Sequence, residues 1–177
     1  MVMGRFASSL ALLASLALVG CADPVHDDLV RSLGSEDPNV PQGPLHRAGQ
    51  PCLACHGELG PASSAFSIGG TVYAVAGQTQ AAVSAAVQIE DVGGNYLTVV
   101  TNSAGNFFAA RNAFVPRYPI RMSVRSSDGQ TTQQMLSLAA RDGACADCHV
   151  DPPSPTSPGL VYVSGGPPAV IPDGGTE

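Results

Sequence analysis

Lysine and tryptophan are absent from this 177-residue chain, and aromatic residues make up only 5% of it. With no lysine, 8 arginines stand against 14 acidic residues, for a net charge of −6. That leaves no basic surface for tracking phosphates, which argues against a nucleic-acid partner. The scarcity of aromatics means that a core has to be built largely from Val, Leu, Ile and Ala. Charged residues are 12% of the chain, whereas Gly (20) and Pro (15) together approach a fifth. This composition does not suit a large α/β enzyme. The length allows one domain of ordinary size with tails, not two. The N-terminal apolar run, Phe6 to Val19, is broken by Ser8, Ser9 and Ser15 and is too short for a membrane span.

What that run does resemble is an export signal. Arg5 precedes it and small residues close it, so residues 1–20 read as a leader that is removed. The join Leu18-Val19-Gly20-Cys21 is similar to the bacterial lipobox. The resemblance implies that Cys21 becomes the first mature residue and carries the acyl chains. Several such chains anchor stably where one binds only marginally. The expectation is a lipid-anchored protein of the cell envelope, with the outer membrane favoured over the inner. A plain secreted protein with Cys21 at that place is the alternative.

Prolines mark the organisation of what remains. Six fall between Pro24 and Pro61, none between Ala62 and Val115, and seven between Pro152 and Pro172. Proline is kept out of central strands and helix interiors, so the gap marks the folded body. Residues 21–45 then read as the lipidated Cys with a flexible stalk. Residues 66–139 read as the body, and 153–177 as a mostly extended tail in which Leu160 to Val163 can add a short strand. Within the body, Val83, Ala85, Val87 and Ile89 alternate with Ser84, Ala86, Gln88 and Glu90, and Ile120, Met122 and Val124 alternate with Arg121, Ser123 and Arg125. Period two is the half-buried strand pattern. Turn signals at Gly93-Gly94-Asn95, Asn102-Ser103-Ala104-Gly105 and Ser127-Asp128-Gly129 separate the runs. The reading is six strands, near 68–75, 82–90, 96–101, 106–110, 119–125 and 130–138. The fold class is therefore mainly β, a small antiparallel β-sandwich flanked by irregular loops.

The run from Gly70-Thr71-Val72-Tyr73 through Ala86-Val87-Gln88-Ile89 to Thr101-Asn102-Ser103-Ala104-Gly105-Asn106-Phe107 resembles the carboxypeptidase regulatory-like, transthyretin-like β-sandwich family. The Thr-Asn-x-x-Gly-x-Phe turn is the most specific part. The resemblance implies an Ig-like or transthyretin-like surface module and carries no catalytic residues. An unrelated sandwich of similar rhythm is the competing explanation.

Apart from Cys21, every cysteine lies in one of two identical frames, Cys52-Leu53-Ala54-Cys55-His56 and Cys145-Ala146-Asp147-Cys148-His149. Cys-x-x-Cys-His is the c-type haem attachment signature. Resemblance to small multihaem c-type cytochromes implies that the two thiols of each motif add to the vinyl groups of a haem. The following His56 or His149 would then ligate the iron, giving two covalently bound haem c groups. Haem-binding segments are expected at 46–61 and 140–152. Neither motif is followed by helical periodicity, which excludes a complete class I cytochrome wrap. A four-cysteine zinc site has to bring Cys55 and Cys145 together across 89 residues. Two Cys-x-x-Cys disulfides are the other alternative, and a thioredoxin-like site lacks its βαβ frame.

His46, six residues before Cys52, is the candidate distal metal ligand. His26 lies in the acidic stalk and reads as exposed, Met122 reads as core, and Met135 is a weak distal candidate. If the strands alternate direction, both motifs cluster at one end of the sandwich. The expected function is a membrane-anchored dihaem electron carrier in the periplasm or at the cell surface, working between redox partner proteins. It is not an enzyme on this reading, because no nucleophile–base pair or carboxylate pair stands out. A surface binding or adhesion lipoprotein whose Cys pairs form disulfides or bind zinc is the alternative. A haem enzyme acting on a small oxidant such as peroxide is the third.

Overall fold

A computed structural model describes residues 23–164, so the expected leader, Cys21 and the end of the tail lie outside the described residues. The chain divides into two compact units, residues 1–34 and 35–177. In the first, helix α1 (Pro24–Ser32) occupies what the prolines suggested was a flexible stalk. Its start is well specified. The Asp23 carboxylate accepts from Val25 N and His26 N, both at 3.1 Å, and Pro24 stands in the first turn, where its missing N–H costs nothing. Arg31 pairs with Asp28 at 2.7 Å one turn earlier. His26 sits on this helix. No described helix is long and apolar enough to cross a membrane.

The second unit is a small β-sandwich. One sheet has three strands in the order β4 (Asn106–Ala110), β1 (Phe66–Val75) and β7 (Val161–Ser164). The other has four, in the order β3 (Tyr96–Val100), β2 (Ala86–Asp91), β5 (Ile120–Arg125) and β6 (Thr132–Gln134). Ile68 and Val72 of β1, Phe107 of β4, and Val163 of β7 meet Val87, Ile89, Ile120 and Val124 of the facing sheet in one core. Five of these (Ile68, Val72, Val87, Ile89 and Ile120) are completely buried. Each such side chain contributes on the order of 1.5–3 kcal/mol.

Three details depart from the expected strands. β2 starts at Ala86, because Ser84 has φ 58 and breaks the alternation, so Val83 is half exposed instead of sharing the face of Val87. β6 is only three residues long, and the chain rejoins β5 where Ile120 and Ala139 exchange backbone hydrogen bonds of 2.9 and 3.0 Å. The run after Leu160 does form a strand. It pairs parallel to β1, with Val72 opposite Val161, so the sandwich is not wholly antiparallel. A parallel partner needs a long return connection, and the second Cys motif lies within it.

Beyond β1, most strands are buried on one face only, as in β2, where Val87, Ile89 and Asp91 are buried while Gln88 and Glu90 are exposed. β1 is buried on both faces through seven consecutive residues, Ser67 to Tyr73. One face meets the core. The other is covered by the first motif segment.

Asp91 closes the β2–β3 hairpin. Its carboxylate accepts from Gly93 N at 2.8 Å, Asn95 N at 2.9 Å and Arg117 N at 3.1 Å. These bonds, led by that from the Asn95 side chain, hold its pKa down at about 2 against an ordinary 3.8. A depressed carboxylate stabilises the fold above its unfolded pKa, and that stabilisation disappears as the proton binds. The urea midpoint of the wild type should therefore fall as pH drops from about 4 to 2, while Asp91→Asn should start lower at neutral pH and fall less. The difference between the two proteins isolates Asp91 from Asp147, whose pKa is raised by burial and by Asp142. Parallel curves for the two proteins would contradict this role.

Candidate functional site

Helix α2 (Cys52–His56) is the first motif, and a short 3₁₀ turn (Cys145–Asp147) opens the second. In the second, His149 N donates to Cys145 O at 2.9 Å and Cys148 N donates to the same carbonyl at 3.3 Å. Each motif is therefore wound tightly enough to hold its two thiols and its histidine on one compact turn.

Both motifs dock on β1. At Gly69 an added Cβ would lie 2.9 Å from Cys52 Cβ and 3.3 Å from its sulfur. At Gly70 the same atom would lie 2.7 Å from Cys145 Cβ, 3.0 Å from its sulfur and 3.1 Å from the Phe107 ring. Side chains of consecutive strand residues point to opposite faces. Cys145 thus packs on the core side of β1 beside Phe107, and Cys52 packs on the outer side. With one Cα step between the two glycines, the sulfurs are no more than about 13 Å apart. Gly69 N also donates to Gly143 O at 3.0 Å, so the chain entering the second motif runs beside β1. Cys52 and Cys145 therefore both touch β1, at consecutive residues.

The two histidines share one arrangement. His56 Nδ1 lies 2.8 Å from Ser64 O and 3.0 Å from the Ser64 hydroxyl. His149 Nδ1 lies 2.9 Å from Gly159 O. A carbonyl oxygen can only accept, so in both rings Nδ1 carries the proton and Nε2 carries the lone pair. This is how a metal-ligating histidine is normally held. The His56 ring also stacks on Phe66 (centroids 4.3 Å apart, 12°), and Phe66 stacks on Phe108 at 4.5 Å and 12°. Stacking occupies a ring face and leaves the in-plane nitrogen free.

His46 comes close to this group, its ring centroid 5.8 Å from that of His56 and tilted by 46°. A buried network holds the segment that carries it. Gly49 N donates to Thr71 Oγ1 at 2.8 Å, and Thr71 Oγ1 donates to Asn106 Oδ1 at 2.7 Å. Asn106 Nδ2 in turn donates to His46 O at 2.9 Å. Asn102 Nδ2 donates to Pro44 O at 2.6 Å, while its Oδ1 accepts from Ala104 N and Asn106 N to close the β3–β4 turn. Gly105, at φ 77, completes that turn where a side chain would strike the Val72 carbonyl. The Thr-Asn-x-x-Gly-x-Phe turn therefore secures the His46 segment as well as the hairpin.

Burial sets the thiol chemistry. Cys145 is pushed up to about 12, mainly by desolvation, and Cys52 is raised for the same reason. Thiolate chemistry needs the opposite shift. Among the described residues all four motif cysteines are free thiols, and no three His, Cys, Asp or Glu are grouped as a metal cluster would need. Cys145 and Cys52 pack against opposite faces of β1. The donor set, paired thiols next to a histidine with its Nε2 free, fits a covalently attached haem at each motif.

Met122 packs against the core, and Met135 follows β6, its N–H donating to Met122 O at 2.9 Å. Ser64, Gly159, Phe66 and the Gly69-Gly70 pair carry the sites yet were not legible as site residues; the first two act through backbone carbonyls, which any residue supplies. The chain was compared with family models, curated proteins and solved structures, and nothing in any of the three matches it.

Proposed function

We propose that the chain is a dihaem c-type electron carrier of the cell envelope, tethered by lipid on Cys21. Cys52 and Cys55 would fix one macrocycle and His56 would ligate its iron, with Cys145, Cys148 and His149 doing the same for the other. Haem so held supplies a one-electron iron couple. The rest is the protein's contribution. The observation that carries this reading is the shared hydrogen bond from Nδ1 of each motif histidine to a backbone carbonyl, Ser64 O in one and Gly159 O in the other. It sets the tautomer, orients the ring and raises the basicity of Nε2. Two motifs with different flanking sequences share it. A mere loop histidine has no need of it.

The sandwich contributes rigidity. Both motifs rest on β1, the most deeply buried strand, which gives them a common support. The lipobox-like join, Leu18-Val19-Gly20-Cys21, supports the tether. The experiment is a count after motif removal. Cys52→Ser/Cys55→Ser, made with a c-type maturation system, should carry one covalent haem by intact mass where the wild type carries two. An unchanged mass apart from the substitutions would overturn the assignment.

A further inference from the structure

We infer that His46 and His56 form the two protein ligands on opposite sides of one metal centre, and that Glu36 is the positioning residue that holds His46 to it. This rests on the haem-binding reading for the first motif and adds to it the second axial position and the charge behind it. Three observations support it. The ring centroids of His46 and His56 are 5.8 Å apart. Two imidazoles bound on opposite sides of a first-row metal ion, at about 2 Å per bond, have ring centres about 6 Å apart. The spacing therefore matches one ion.

The second observation concerns His46 itself. Its Nδ1 is buried and makes no hydrogen bond, and the Glu36 Oε1 carboxylate oxygen lies 3.5 Å from it. A buried nitrogen facing a carboxylate keeps its proton on that side, which leaves Nε2 with the lone pair, as the Ser64 carbonyl does for His56. The two rings are thus held alike, one by a neutral carbonyl and one by an anion. The third is that His46 is fixed from behind. Its carbonyl accepts from Asn106 at 2.9 Å, and the Glu36 carboxylate is itself met by Arg47 Nε at 3.6 Å. The backbone of His46 is thus fixed, and its ring faces a carboxylate that Arg47 also meets.

The anion has a direction of effect. A carboxylate behind a ligand favours the more positive, oxidised metal, so Glu36 lowers the potential of the centre that His46 completes. Arg47 offsets part of this, because it shares the same carboxylate.

The test uses the full chain carrying its haems, with covalent haem counted first by mass. His46→Gly should keep two haems and convert one of them from low-spin to high-spin in the electronic and EPR spectra. Added imidazole should restore the low-spin signal, which a folding defect would not allow. Glu36→Gln should keep both haems low-spin and move the midpoint potential of one to a more positive value, with Glu36→Asp close to wild type. An unchanged spin state in His46→Gly would overturn the ligand assignment, and an unchanged potential in Glu36→Gln would overturn the role of Glu36. A wild type with no covalent haem would fail the underlying reading instead, and this inference with it.

Discussion

Gly70→Val should destabilise the protein by about 3 kcal/mol, at the upper end of what an overpacked core position costs. Local preference points the other way. Glycine inside a strand costs about 0.5–1 kcal/mol, and valine is among the best strand formers, so propensity alone favours the substitution. Contact decides the sign. A Cβ at this position would lie 2.7 Å from Cys145 Cβ, which packs against the core, and 3.1 Å from Phe107 inside it. Neither neighbour is the free end of a flexible chain. The Cys145 segment has to lift from β1, which opens the second motif as well as the core. Urea titration gives the stability, and the reactivity of Cys145 towards a thiol reagent, in protein made without haem, reports the lifting. A variant as stable as the wild type, with Cys145 still protected, would show that the second motif does not rest on β1.

The other large effect is expected at Asn106. Its side chain joins β1, β4 and the His46 segment, accepting from Thr71 Oγ1 and donating to His46 O and Pro44 O at 2.7, 2.9 and 3.3 Å. Asn106→Ala leaves the Thr71 hydroxyl without its acceptor and His46 O without its donor where water reaches poorly, since Asn106 is 6% exposed and Thr71 is 7% exposed, whereas Pro44 O keeps its bond from Asn102. Each unsatisfied buried group costs about 1–3 kcal/mol, so a loss of about 2–4 kcal/mol is expected. The site responds too. Hydrogen exchange at the amides of residues 46–50 should quicken more than that of the core strands. Thr71→Val removes the hydroxyl and keeps the shape, and it should reproduce part of the effect. Equal exchange throughout would mean that the turn holds only itself.

These residues also show what could be read from the chain alone. Proline spacing marked the body, alternation placed β5, and the turn signals on either side placed β3 and β4, each to within a residue or so. β1 gave less away. It is buried on both faces, so alternation does not say that Gly69 and Gly70 face different motifs. The helix α1 was missed although Asp23-Pro24 and Asp27 are ordinary start signals, because the surrounding prolines outweighed them. Ser84 took up a left-handed conformation that no turn residue forecast, and Val83 moved to the surface with it.

The candidate site was legible in its proposed donors and not in the groups that hold them. Cys52, Cys55, His56, Cys145, Cys148 and His149 follow from spacing, and His46 from its position six residues before Cys52. Their holders are a backbone carbonyl at Ser64, another at Gly159, and Glu36. Carbonyls carry no residue signature, and a glutamate ten residues from its histidine is one of many. Tertiary structure supplies that information.

On the proposed function each motif holds one haem covalently. The most direct measurement is a pyridine haemochrome assay combined with the intact mass of the chain produced with a c-type maturation system. The expected result is the c-type haemochrome spectrum and a mass increased by two haems per chain. A colourless protein at the mass of the polypeptide, with Cys52, Cys55, Cys145 and Cys148 engaged in disulfides or in stoichiometric zinc, would contradict it.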